Sequence, residues 1–403
     1  MPRQATQGTM LPAVVAWLDN NVGLELSRTL SDRGVPVIAL ATDANNYRCK
    51  TRYVQRVIEV ADEDAGLAKA LQDLRSSLPD GAVFCPTTDR LARIASENRS
   101  SLESCYRMAI GSEKSLVLLG DKAEADSLVR KAGILAPRTW NVSTIADIKT
   151  LTDSCSFPLI VKPSVRTDAW WSEIGEKAFM VDSKERLIQT LEDCLGLAPS
   201  IIVQEWIEGS DADMFFYLSY TDQNRRTLVD LVGRKIRQWP ALTGVGASSV
   251  HVDEPELCGV SRRLIENTGF IGFCEIEFKR KKGTDEFYFI EANVGRPSLH
   301  STLAESCGVE MQYIMYCDCA GIPMSEPVIL RHPGAKCIVW RFELHSAIEA
   351  MRNGELSFGS WIKSLKGRKR SVDIHFRDPM VFWLGFGLVF LQSIARNVKA
   401  RLS

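Results

Sequence analysis

Residues 272 to 296 hold the densest set of groups able to do chemistry: Gly-Phe-Cys-Glu-Ile-Glu-Phe-Lys, a polar turn, then Phe-Tyr-Phe-Ile-Glu-Ala-Asn-Val-Gly-Arg. The alternation predicts a β-hairpin whose turn is Lys281 to Glu286, with Gly283 as its permissive residue. A period of two sets Phe273, Glu275, Glu277 and Lys279 on one face of the first strand. It sets Phe287, Phe289, Glu291 and Asn293 on one face of the second. With the turn centred near Thr284, Glu277 falls opposite Glu291 or one pair away, and Asn293 lies one pleat further on the same side. Carboxylates paired across a sheet repel, so they call for solvent, a shared proton or a cation. Two carboxylates and an amide carbonyl suit Mg²⁺, which keeps waters and completes its shell with substrate phosphates. Glu277, Glu291 and Asn293 are therefore the metal-ligand candidates, with Glu275 competing from the same face. A solvated hairpin face with incidental acids is the alternative reading.

The elements that position this hairpin belong to a chain of 403 residues, enough for two or three domains, and 45% hydrophobic residues can fill a sizeable core. Lys+Arg 49 against Asp+Glu 50 leaves a formal charge of −1, which removes any global argument for nucleic acid. The 11 cysteines lack paired metal-site spacing, so reduced, mostly buried thiols in a cytoplasmic protein are expected. The N-terminus makes a poor signal peptide.

In chain order, the apolar run 12 to 18, a helical pattern from Val22 to Arg33 ended by Gly34, and the run Val35 to Ala41 predict a parallel β-α-β start. Its first loop is too poor in glycine for a pyrophosphate, which disfavours a dinucleotide dehydrogenase. Ala82 to Pro86 reads as a further strand, capped into a helix by Thr87, Thr88 and Asp89. From Gly120-Asp-Lys onward the pattern changes to α+β: a helix to Lys131, the strand Phe157-Pro-Leu-Ile-Val-Lys-Pro, a loop from 166 to 177, and antiparallel strands through Thr227 to Val232. Gly233-Arg-Lys-Ile-Arg-Gln-Trp-Pro, followed by Thr243-Gly-Val-Gly, reads either as a polyanion site or as a solvated basic turn. His251 and His300 each stand alone and are expected to be structural.

Taken in order, Arg52-Tyr-Val, Pro86-Thr-Thr-Asp, Gly120-Asp-Lys, Phe157-Pro-Leu-Ile-Val-Lys-Pro, Val203-Gln-Glu-Trp-Ile-Glu-Gly, Gly233-Arg-Lys-Ile-Arg-Gln, Glu275-Ile-Glu-Phe-Lys and Ile290-Glu-Ala-Asn resemble the ATP-grasp superfamily. Within it they resemble carboxylate-amine ligases such as D-aspartate ligase, and the large chain of carbamoyl-phosphate synthase. The resemblance implies an α/β and α+β fold: a Rossmann-like parallel pre-ATP-grasp domain (1–118), an ATP-grasp domain of two α+β subdomains (119–325), and a C-terminal extension (326–403). It implies an enzyme that binds ATP with Mg²⁺, or Mn²⁺ in its place, activates a carboxylate as an acyl phosphate and joins it to an amine. A module that has lost catalysis, or a carboxylase or phosphoryl transferase, is the alternative.

The same resemblance puts Lys122 and Lys162 at the ATP phosphates, counts Lys177 at the end of the 166–177 loop among the cofactor-binding residues, and sets Glu205, Trp206 and Ile207 along the adenine and Asp213 near the ribose. Arg234, Lys235, Arg237 and Arg296 would face the carboxylate or the transferring phosphate. Two departures stand out. The loop from 166 to 177 has one glycine and carries Trp170 and Trp171, and Glu291-Ala-Asn-Val-Gly-Arg shifts Arg296 by one residue from its expected place.

From 360 to 403 there are nine Lys or Arg and two Asp around the apolar run 380 to 391. That run is shorter than the roughly 20 residues a spanning helix needs. An interfacial helix contacting anionic membrane is expected, which points to lipid-linked as well as small-molecule substrates; a buried terminal helix is the alternative. A homodimer is compatible with the sequence.

Overall fold

The computed structural model describes residues 10–387 apart from 153, 165–166, 177, 325–327 and 386. Three sheets organise them.

The first sheet is parallel, in the order β3-β2-β1-β4-β5, from β1 (Ala13–Val15), β2 (Val37–Ala41), β3 (Arg56–Glu59), β4 (Ala82–Cys85) and β5 (Tyr106–Arg107). The inner strands β1, β2 and β4 are continuous apolar runs because both faces are covered, whereas the edge strands β3 and β5 carry charged residues. The helix Asn21–Asp32 follows β1, capped by the Asn20 side chain on the Gly23 amide. Gly23 is required there, since a Cβ would meet the Trp17 carbonyl at 2.3 Å. Order reverses between β1 and β4, the place where open α/β sheets bind ligands. At that crevice Asn20 donates to Thr87 Oγ1 at 2.8 Å, and Thr88 caps the helix Asp89–Glu97.

The second sheet, in the order β6-β9-β7-β8, is antiparallel: β6 (Thr139–Val142), β7 (Leu159–Pro163), β8 (Phe179–Val181) and β9 (Ile201–Glu205). It has its own core, formed by Val142, Leu159, Val161, Trp170, Leu191 and Val203. The expected loop from 166 to 177 is corrected here: it contains the helix Asp168–Glu173. Thr167 caps that helix by accepting from the Trp170 amide at 3.1 Å. Trp170 is fully buried, stacks on Phe179 at 6.1 Å and donates its indole N–H to the Glu176 carbonyl at 2.7 Å. A buried indole and a capped helical turn thus stand where a glycine-rich loop was sought.

The third sheet has seven strands in the order β14-β13-β10-β11-β12-β15-β16: β10 (Met214–Thr221), β11 (Thr227–Trp239), β12 (Val245–Val252), β13 (Gly272–Arg280), β14 (Phe287–Val294), β15 (Lys336–Ile338) and β16 (Lys369–Ser371). One continuous apolar core runs from Phe84 and Leu91 of the first unit to Phe215, Ile276 and Phe289 of this sheet. The Gly233 segment, read as a possible turn, is instead the distal half of β11, a 13-residue strand.

Two strands from the C-terminal segment join this third sheet: β15 pairs antiparallel with β12, and β16 pairs parallel with β15. A buried ionic knot holds the segment to the first unit. Arg28, fully buried, donates to Asp378 at 3.1 and 2.9 Å and to Glu25 at 2.7 Å, and Thr51 donates to the same Asp378 oxygen at 2.7 Å. The terminal helix begins at 379 and buries Val381, while Phe376, Met380 and Trp383 are exposed. Among the described residues no helix is long and apolar enough to cross a membrane. The rest of the apolar and basic run, 388–403, lies outside the described residues.

Candidate active site

The β13–β14 hairpin sets Glu277 directly opposite Glu291 and Glu275 opposite Asn293, with a bulge after Glu277. Strand alternation therefore brings four oxygen-bearing side chains to one face. Their neighbours then separate them. Glu275 is 4% exposed; it accepts from Ser298 at very short range and faces His300 Nδ1 at 3.2 Å. Burial alone would raise its pKa, but His300, the Ser298 hydrogen bond and the Arg296 charge outweigh that and hold it below the usual carboxylate range. Glu277 instead accepts from Lys235 Nζ at 2.9 Å, and the same ammonium donates to Gln238 Oε1 at 3.1 Å. Glu275, Glu277 and His300 bring one ligand-type atom each within 4.8 Å of one another.

The cations of β11 do not converge, because strand alternation divides Arg234 from Lys235 and a bulge divides Lys235 from Arg237. Arg234 pairs with Phe215 and Lys235 faces the Glu277 side. Arg234 donates to the Ala212 carbonyl at 3.4 Å. Arg237, beyond a bulge, is buried against Glu343 at 2.7 Å and Ser364 at 2.8 Å. Arg296, one residue off its expected place, still reaches Asn293 Oδ1 at 2.9 Å. It crosses to the first unit to grip Asp89 at 3.1 and 2.9 Å.

Two connected spaces surround this face. A narrow slot of about 90 Å³ is lined by Glu205, Trp206, Ile207, Met214, Leu242 and Lys279. A wider cavity of about 980 Å³ is lined by Asp89, Asp121, Ser164, Asn293 and Arg296 among others. Lys162, Gln204, Ile290 and Glu291 line both, so they mark the junction. Lys162 Nζ donates to Gln204 Oε1 at 3.0 Å across neighbouring strands.

The connection out of β9 forms one slot wall. The Glu205 amide donates to the Arg138 carbonyl at 2.8 Å and the Trp206 amide to the Pro158 carbonyl at 3.2 Å. The opposite wall is the β11–β12 turn, held down by Asp211, which accepts from the Gln238 and Leu242 amides at 2.7 and 2.8 Å. Asp213 accepts from Ser210 at 2.9 Å and from Arg280 at 3.0 Å and does not line the slot. Lys122 opens the helix Lys122–Lys131, and Lys177 lies outside the described residues.

Three contributors were not singled out as site residues from the sequence. Asp89 was read as a helix cap, Lys279 as a face residue of β13, and Leu242 carried no signal because its place depends on the β11–β12 turn.

No protein-family model matches the chain, and no curated protein matches it in sequence. Solved structures do match. The biotin carboxylase domain of 2-oxoglutarate carboxylase from Hydrogenobacter thermophilus, in complex with MgADP, ADP and bicarbonate, is similar at TM-score 0.62 and 14% identity, over 80% of this chain and 72% of that one. N5-carboxyaminoimidazole synthetase from Staphylococcus aureus, complexed with ADP, is similar at TM-score 0.60 and 13% identity, over 80% of this chain and 81% of that one. L-amino acid ligase from Bacillus licheniformis is similar at TM-score 0.58 and 15% identity, over 78% of this chain and 75% of that one. At these identities the likeness is one of fold.

Proposed function

We propose that this chain, which has the ATP-grasp fold, is an ATP-dependent ligase that joins a carboxylate to an amine through an acyl phosphate. The observation that carries the reading is the Glu277–Glu291 pair on the hairpin face, with Glu277 lining the narrow slot and Glu291 and Lys162 lining both the slot and the wider cavity. A carboxylate is a poor acylating agent at neutral pH. Its oxygen attacks the γ-phosphorus of ATP, ADP leaves, and the amine nitrogen then attacks the acyl carbon as phosphate leaves. The protein's task is to position anions and offset their charge.

The donor set fits a hard cation. Glu277, Glu291 and the Asn293 carbonyl are oxygen ligands facing one side; Lys235 and Arg296 donate to Glu277 and Asn293 and would share those oxygens with the ion, while Glu275 is engaged by Ser298 and His300. Mg²⁺, or Mn²⁺ in its place, would neutralise the phosphate oxygens there. Lys162 stands where a terminal phosphate would lie, with Lys122 assigned beside it and Lys177 to nucleotide binding by the sequence resemblance. Glu205, Trp206 and Ile207 flank the base, and Arg296 faces the acyl phosphate from the wider cavity. Lys235 acts through Glu277, and Arg234 lies further out.

Release of ADP and phosphate, measured with pooled carboxylates and amines, tests this. Turnover that needs both substrates supports the ligase. ADP release with bicarbonate and no amine transfers the reading to a carboxylase, as two of the solved relatives bear carboxylase or carboxyamino names. No turnover in any pool leaves a nucleotide-binding module. Contact with an anionic membrane is a separate proposal, supported by the exposure of Phe376, Met380 and Trp383 next to Arg377. Salt-sensitive co-sedimentation with anionic vesicles tests it.

A further inference from the structure

The wall of the slot contains a cation that the scheme above does not use. Lys279 is 3% exposed, and among the described residues its Nζ donates to a single acceptor, the Ser210 carbonyl at 2.7 Å. The Trp206 ring centroid lies 5.8 Å from the same nitrogen. An ammonium carries three N–H donors, and burying them without acceptors is costly. The Gly209 backbone runs close beside the stem, where a Cβ would come within 2.9 Å of Lys279 Cε, and Lys279 lines the slot together with Trp206, Ile207 and Met214.

The order of groups along β13 says what that head would meet. Glu277 and Lys279 are same-face neighbours, about 6.6 Å apart along a strand. Glu277 marks the phosphate end of the slot and Trp206–Ile207 the base end. In a nucleoside triphosphate the group between phosphate and base is the sugar. Asp213, the residue expected at the ribose, is held by Ser210 and Arg280.

We propose that Lys279 recognises the ribose of the nucleotide: its remaining N–H donors reach the sugar hydroxyl oxygens and make the slot select ATP over deoxyribose analogues. The inference rests on the ATP reading of the same site. It assigns Lys279 to binding, with no part in either bond-making step.

Binding of MgATP and of its 2′-deoxy and 3′-deoxy analogues, measured by calorimetry on the full chain and on Lys279→Met and Lys279→Arg, tests it. The unaltered chain is expected to hold ATP about 10- to 100-fold tighter than the weaker deoxy analogue, the value of a hydrogen bond to a charged donor. Lys279→Met should lower ATP affinity to that of the analogue and close the gap, with a cooperative thermal transition retained. A gap that persists in folded Lys279→Met, or no gap in the unaltered chain, overturns the inference while leaving ATP binding in place. Failure of the unaltered chain to bind any of the three nucleotides removes the proposed function and the inference together. Should Lys279→Met not fold, Lys279→Arg decides: its displaced donors should change the ratio between ATP and the analogues, and an unchanged ratio overturns the proposal.

Discussion

Lys235 Nζ lies 2.9 Å from Glu277 Oε2, and their side chains are 3% and 12% exposed, so one carboxylate of the proposed metal face has a buried counter-ion while its cross-strand partner Glu291 belongs to the junction between slot and cavity. Loss of the Glu277 charge would leave that ammonium buried without its counter-ion.

Glu291→Gln is expected to lower turnover on the order of 10²-fold or more, since it removes charge from the phosphate end but little volume. Glu277→Gln should lower turnover comparably and also destabilise by about 3–5 kcal/mol, because it strands a buried ammonium. Steady-state kinetics and thermal melts on both variants check this. Full activity in either one would remove that residue from the metal shell.

Arg237 is paired with Glu343, 10% and 0% exposed, across 106 residues of sequence. Breaking a buried pair from one side costs about 3–5 kcal/mol. Arg237→Met and Glu343→Gln should each lower denaturant midpoints by similar amounts, and the double variant should cost less than their sum. Additive losses, or a loss of turnover in Arg237→Met without loss of stability, would return Arg237 to the reacting groups.

Trp170 pins the helix Asp168–Glu173 into the core of the four-stranded lobe. Trp170→Ala should cost about 3–5 kcal/mol. Because that core is separate from the other two sheets, the loss should show in hydrogen exchange of β7, β8 and β9 before β13 and β14. Uniform loss of protection across all three sheets would contradict an independent lobe core.

Glu305 is buried, its Oε1 has no hydrogen bond among the described residues, and its other oxygen is 3.9 Å from Arg370. Burial pushes its pKa up to about 8, against the opposing pull of Arg370. A carboxyl raised on folding contributes stability that is fully present below its ordinary pKa and is lost as pH rises towards 8. Stability should therefore fall across that window by at most about 1.4 kcal/mol per pH unit from this one proton. Glu305→Gln should flatten the slope, as read from urea midpoints between pH 5 and 9; an unchanged slope would place the ionisation elsewhere.

Periodicity and turn chemistry in the sequence were enough to anticipate the parallel β-α-β start, the hairpin and the shared face of Glu275, Glu277, Glu291 and Asn293, because these depend on neighbours within about ten residues along the chain. Periodicity states which face a side chain takes, and nothing about what meets it there. Glu275 and Glu277 have the same parity and similar flanks. They were separated by Ser298 and His300 in the loop after β14 and by Lys235 two strands away. The basic segment of β11 looked like one cluster, but a strand sends alternate residues to opposite faces, and Arg237 then found Glu343 from a segment with no assigned role. The reach of Arg296 to Asp89 spans 207 residues, and the buried Lys279 meets the Ser210 carbonyl 69 residues away. These pairings were decided by tertiary structure, since they arise from packing three sheets together and local pattern carries no record of which distant group each face will meet.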